Sequence, residues 1–226
     1  MGKCIKIFFV LFFLIAVVPF HSVFANDVTN NGYLRMLHAS TDAPNLDIYV
    51  DKEKMYSEVS FKSISEFIPI KEGSYKVKVY PEGANPNKEK PIIKEKIKVK
   101  NGDTITLMVI GKENEFKLQS VPDDLSVDEE KGKIRFVNLA EDVQSLDLIT
   151  TDLSINDIKY KGSSDYIIIK PNSYDFEVKI KGQDNAIYEI PNLKIMAGSN
   201  YSIFAVGLLK GEPGLELLIT KDSITK

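Results

Sequence analysis

Two stretches of this chain, about one hundred residues apart, can be laid over one another. YLRMLHASTDAPNLDIYV begins at Tyr33 and KIRFVNLAEDVQSLDLIT begins at Lys133. In register, Arg35 falls on Arg135, Asp42 on Asp142, Leu46 on Leu146 and Asp47 on Asp147. The correspondence continues downstream. Tyr75 of EGSYKVKVY meets Tyr174 of PNSYDFEVKI, and Gly111 of NGDTITLMVIG meets Gly207 of AGSNYSIFAVG. FKLQSVPDD from Phe116 then lies over LELLITKDS from Leu215. A chain that repeats itself over this length is expected to fold as two similar units, residues 30–124 and 131–226, joined by residues 125–130. The join, VPDDLSVDEEKGK, is short, acidic and polar, the composition of a solvated linker whose charges resist burial.

Each unit reads as strands. YKVKVY, EKIKVK, TITLMVI and DFEVKI alternate or run β-branched, and turn residues separate them at short spacing. DKEKMYSEVSFKSI is the one stretch with helical spacing, and an irregular or short-strand segment is expected there. The predicted class is all-β, two small antiparallel β-sandwiches in tandem. Tyr75 and Tyr174 each follow a turn at a strand start, the pattern of a tyrosine corner or of an ordinary core aromatic. Asn172 where the first unit has Gly73 predicts a positive φ at both positions.

The N-terminus places Lys3 and Lys6 before an apolar run from Ile7 to Val18, followed by Val23-Phe24-Ala25. This predicts a secretory signal peptide over residues 1–25, cleaved after Ala25. The run is shorter than a spanning helix requires, and Cys4 precedes it, where it is badly placed for lipid attachment. Removing residues 1–25 takes two of 29 basic residues and none of 32 acidic ones, leaving a net charge of −5. It also removes Cys4 and His21, leaving His38 as the sole histidine. The mature chain is therefore expected to fold on its core alone, without disulfides, thiol catalysis or thiolate metal sites. Mild acidity argues against nucleic acid as a partner, and no second stretch of spanning length follows, so no membrane span is expected after cleavage.

The opening motif resembles the HASPDAP-type signature of the bacterial secreted domain of unknown function 4397 family, a domain often carried in tandem. The residues that carry the resemblance are Leu34-Arg35, His38-Ala39-Ser40, Asp42-Ala43-Pro44, Leu46-Asp47-Ile48-Tyr49 and Asp51, with Gly73-Ser74-Tyr75 and the strand ending at Gly111. The second copy departs from it: Asn138 replaces the histidine, Gln144 the proline, and Thr150-Thr151 the Val-Asp pair. The resemblance implies an extracellular or surface module of immunoglobulin-like or transthyretin-like shape, and no substrate.

The motif residues Arg35, His38, Asp42, Asp47, Arg135, Asp142 and Asp147 are read as structural, with no catalytic, cofactor or metal site among them. His38, Ser40 and Asp42 crowd one strand end, whereas a catalytic base must reach its nucleophile from a separate element. Asn138 cannot serve as a base, but it can share a role in bonding backbone. Asp42, Asp47 and Asp51 are spaced too widely for a calcium loop, and Asp42 is expected to cap its own turn. Arg35 and Asp47, twelve residues apart as Arg135 and Asp147 also are, are expected to pair across neighbouring strands on an outer face. Tyr33, Tyr49, Tyr56, Tyr80 and Tyr160 are candidates for sugar stacking, and the chain has no tryptophan. These features predict a secreted or envelope-associated, non-catalytic binding or structural module without cofactors. Its expected partners are cell-wall polysaccharide or another surface protein. The alternatives are a carbohydrate-binding module presenting an exposed aromatic strip, and a secreted hydrolase with two convergent carboxylates in a pocket.

Overall fold

The structure is a computed structural model and describes residues 31–224; the expected signal peptide, residues 1–25, lies outside the described residues. Every regular element among the described residues is a strand. The first half contributes β1 (Asn31–His38), β2 (Leu46–Val50), β3 (Glu53–Val59), β4 (Ile68–Lys71), β5 (Gly73–Pro81), β6 (Ile93–Val99), β7 (Thr104–Ile110) and β8 (Lys117–Pro122). The second contributes β9 (Gly132–Asn138), β10 (Ser145–Thr150), β11 (Leu153–Lys159), β12 (Gly162–Ser163), β13 (Ile167–Ile169), β14 (Asn172–Ile180), β15 (Ala186–Ile195), β16 (Ser199–Val206) and β17 (Glu216–Asp222).

Two sheets form in each half. In the first they run β4-β1-β7-β8 and β3-β2-β5-β6. In the second they run β12-β9-β16-β17, with β13 also on β9, and β11-β10-β14-β15. The protein is an all-β sandwich protein. Most pairings are antiparallel, but β1 runs parallel to β7 and β9 parallel to β16. A parallel pair needs a long crossover. Here β2–β6 and β10–β15 supply it: β2, β3, β5 and β6, or β10, β11, β14 and β15, build the opposite sheet, while β4 returns to pair with β1 and β12 and β13 return to pair with β9. DKEKMYSEVSFKSI contributes the edge strand β3.

Alternation places Leu34 and Met36 of β1 in the core of the first sandwich, with Ile48, Val77, Val79 and Leu107. Ile134 and Phe136 enter the second core, with Leu148, Phe176 and Val178. The other faces of β1 and β9 are not solvated. Leu37, Ala39, Met108, Ile110 and Val121 pack against Val137, Leu139, Phe204 and Val206 in a third cluster that joins the halves. This explains why β7 and β16 are buried almost continuously instead of at alternate positions.

Both candidate tyrosine corners are formed. Tyr75 donates its hydroxyl to the Lys71 carbonyl at 2.7 Å, and Tyr174 donates to Lys170 at 2.9 Å. Gly73 and Asn172 are not among the positive-φ residues, contrary to the expectation; each opens a strand in extended backbone. Glycine is required instead at the ends of β7 and β16. Gly111 and Gly207 have φ of 89° and 92°, and a Cβ would lie 2.6 Å from Glu115 O and 2.3 Å from Gly214 O.

Candidate functional site

Arg35 and Arg135 meet in the seam between the halves. Arg35 donates through Nε to Thr106 Oγ1 at 2.8 Å, and through Nη2 to Asp123 Oδ1 at 2.9 Å and Asp222 Oδ1 at 2.7 Å. Arg135 donates through Nε to Ser202 Oγ and through Nη1 to Pro122 O, both at 2.7 Å, and through Nη2 to Asp123. Asp123 also accepts from Thr106, and Asp222 from Ser202 at 2.6 Å and Tyr166 at 2.8 Å. The guanidinium of Arg35 lies 4.4 Å from the Phe67 ring centroid, and that of Arg135 lies 4.7 Å from that of Tyr166. All four charged side chains are at most 3% exposed.

Two cations and two anions cancel here, and every guanidinium and carboxylate has hydrogen-bond partners, so burial is tolerated. Burial pushes the Asp123 carboxyl up, against the pull of Arg135 and Arg35, and pushes the Tyr166 phenol above its usual range. A pocket of about 430 Å³ between Asp124, Ser164 and Asp165 reaches Arg135 and Asp123. The two carboxylates of the cluster are nevertheless fully covered and already engaged. The cluster fastens the two halves, and both of its carboxylates are spent on doing so.

This arrangement corrects the expected Arg35–Asp47 bridge. β1 and β2 belong to different sheets, so Arg35 faces the seam while Asp47 lies on the other sheet. Asp47 accepts from Lys54 Nζ at 2.7 Å, Gly83 N at 3.1 Å and Glu58 N at 3.2 Å. Burial pushes its pKa up, but by less than these donors pull it down, and the net direction is below the ordinary carboxylate value. Asp147 likewise accepts from Asp157 N at 2.6 Å. Glu58 and Asp157 both hold positive φ, at 56° and 59°, so each aspartate pins a bulged residue on the neighbouring strand.

Contrary to the expectation, Asp42 does not cap its own turn; Ser40 does, accepting from Ala43 N at 3.2 Å while donating to Gly111 O at 2.6 Å. Asp42 accepts from Glu113 N at 3.3 Å, and Asp142 from Leu209 N and Lys210 N at 2.7 and 2.8 Å. Each tethers the loop that follows the parallel strand. His38 is fully buried, and its Nε2 lies 3.0 Å from Pro44 O. A carbonyl can only accept, so Nε2 carries the proton and Nδ1, which has no partner, is bare. Burial therefore holds the imidazole below its ordinary 6.5, against the raising effect of the Pro44 and Ala43 carbonyls. Asn138 donates to Ile158 O at 3.0 Å and accepts from Ala140 N at 3.1 Å.

Sequence reasoning misses Asp123 because it falls in the join, whose composition reads as solvated, and Asp222 because it ends a strand outside the opening motif. The signal was present: the two fall on each other when FKLQSVPDD is laid over LELLITKDS. Among the described residues no group of three or more metal-ligating side chains is assembled, and no Tyr or Phe is fully exposed. Tyr56 and Tyr80 are buried, and Tyr33, Tyr49 and Tyr160 are half-buried, so they do not form the aromatic strip of a stacking site. A groove of about 840 Å³ opens in the first half over Val50, Met55, Pro69, Ile70 and Tyr75. Lys52, Lys71, Lys76 and Lys78 line it, with Asp51 and Glu53.

Fold and sites together define a β-sandwich protein whose motif residues are turned into its own framework. The chain belongs to the family described as Domain of unknown function (DUF4397), whose model matches residues 32–149, from β1 into β10. No curated protein matches it. Among solved structures it is similar to CBMbc (family CBM26) from Eubacterium rectale Amy13K in complex with maltoheptaose. That alignment has 10% identity over 85% of this chain and 97% of the other, with a TM-score of 0.25. It is also similar to a protein assigned to cell adhesion from Bacteroides ovatus, with 12% identity over 88% and 99% of the two chains and a TM-score of 0.29.

Proposed function

We propose that this is a secreted, non-catalytic binding module of the cell surface or envelope, made of two tandem copies of its family's domain. The copies are residues 30–124 and 131–226, joined by 125–130, and residues 1–25 are the cleaved signal. The reading rests on one observation. Arg35, His38, Asp47 and Arg135 are buried and bonded within the fold, while the groove beside Tyr75 is open, apolar-floored and edged with charge. Such a site holds a ligand by shape and charge and offers no activated nucleophile or base. Wall polysaccharide is the partner class favoured.

The test is expression of the whole chain in a bacterial host, followed by N-terminal sequencing, fractionation and sedimentation with purified cell walls. The mature protein is expected to begin at Asn26 and to sediment with walls. Retention in the cytoplasm, or failure to bind any wall preparation, would overturn the reading.

A further inference from the structure

The outer face of the β3-β2-β5-β6 sheet carries an unusual grid. β5 and β6 pair so that Lys76 stands opposite Lys96, Lys78 opposite Lys94, and Ser74 opposite Lys98. Val77, Val79, Ile93 and Val99 fill the core from the other face, so these five lysines point outward. Like charges directly opposite one another destabilise a strand pair. None of the five ammonium groups has an ion-pair partner among the described residues, and the whole chain is acidic, with a net charge of −3. A cationic face that opposes both local stability and overall charge calls for an external anion.

The second half provides an internal comparison. In its β14–β15 pair, Asp175 and Glu177 stand where β5 has Lys76 and Lys78, and Glu189 faces Glu177 where Lys94 faces Lys78. The inward positions stay apolar, with Phe176 and Val178 in the core. The fold therefore does not require lysine at these positions.

We infer that this face, with the adjoining groove that shares Lys76 and Lys78, binds a linear phosphodiester-linked wall polymer. The inference rests on the binding-module reading and names its ligand class. Lysines two apart on a strand are about 7 Å apart, and neighbouring strands are about 5 Å apart. A flexible chain with an anion on each short repeat meets several ammonium groups of such a lattice at once. Lysine binds phosphate as a point charge and needs no fixed fork geometry. With no fully exposed aromatic ring among the described residues, charge and not sugar stacking provides the hold.

The experiment measures binding of the mature full chain to immobilised poly(glycerol phosphate) across a salt series. The comparison variant is Lys76→Gln/Lys78→Gln/Lys94→Gln/Lys96→Gln, and Glu189→Gln is the control on the other half. Wild type and control are expected to bind and to weaken at least tenfold as salt is raised. The quadruple variant is expected to lose more than tenfold in affinity while melting no lower than wild type, since like-charge pairs have been removed. Undiminished binding by the quadruple variant, salt-independent binding, or preference for phosphatidylglycerol vesicles, duplex DNA or a second copy of the chain would overturn the inference. Walls stripped of phosphodiester polymer separate the two levels. If both proteins still bind stripped walls equally, the lysine face fails and the module reading stands; if neither binds any wall, both fail.

Discussion

Arg35, on the first described strand, donates to Asp222, 187 positions along the chain, at 2.7 Å. Asp123, at the end of the first half, accepts from both Arg35 and Arg135. One carboxylate from each half thus meets a guanidinium from each half in a water-poor seam. Around them, Leu37 and Met108 lie against Phe204 and Val206, and Gln119 donates to Lys161 O at 2.6 Å.

Breaking this cluster from one side strands a buried charge. Asp222→Asn is expected to cost about 3–5 kcal/mol in urea denaturation. The double variant Arg35→Met/Asp222→Leu is expected to recover a large part of that loss, because an apolar replacement of a buried pair is often neutral. Wild type should unfold in a single transition; two separate transitions would show that the seam does not couple the halves.

Cutting the chain at residues 125–130 uncovers Leu37, Met108, Ile110 and Val121. Residues 30–124 alone are expected to self-associate in sedimentation experiments, and mixing with residues 125–226 is expected to restore a one-to-one complex. In the intact chain, Phe204→Ala removes the largest apolar side chain of the seam and is expected to cost about 3–5 kcal/mol.

His38 sets a pH dependence. Its folded pKa lies below 6.5, so near and below that pH the unfolded chain binds more protons than the folded one. Stability is therefore expected to be complete above pH 6.5 and to decline as pH falls toward the depressed folded value. His38→Asn adopts the residue found at Asn138, should fold, and should flatten that part of a thermal-melt pH profile. An unchanged slope would assign the dependence to other groups.

The tyrosine corners make a smaller contribution. Tyr75→Phe and Tyr174→Phe each delete one hydroxyl bond to backbone and are expected to cost about 0.5–1.5 kcal/mol in urea denaturation. The two losses should add, because the corners lie in different sandwiches.

Much of this architecture was legible in the chain. Alternation in YKVKVY and DFEVKI announces strands, and the pairing of Tyr75 with Tyr174 and Gly111 with Gly207 marks positions with the same backbone bonding or close approach. The lysines of β5 and β6 were visible too, but only register shows that Lys76 faces Lys96 and Lys78 faces Lys94. Overall acidity argues against nucleic acid as a partner, but a sum of charges carries no information about where they lie.

What the sequence determined by itself was the all-β class, the internal correspondence, and which residues recur: Arg35 with Arg135, Asp42 with Asp142, Asp47 with Asp147. Periodicity and matching positions are local properties, and they survive without coordinates. Only the tertiary structure decided what those residues touch. Twelve residues separate Arg35 from Asp47, yet sheet assignment faces them in different directions, while Asp222 arrives from the far end of the chain. A side chain's partner depends on which sheets stack, and stacking is settled by apolar burial across the whole molecule, at the seam above all.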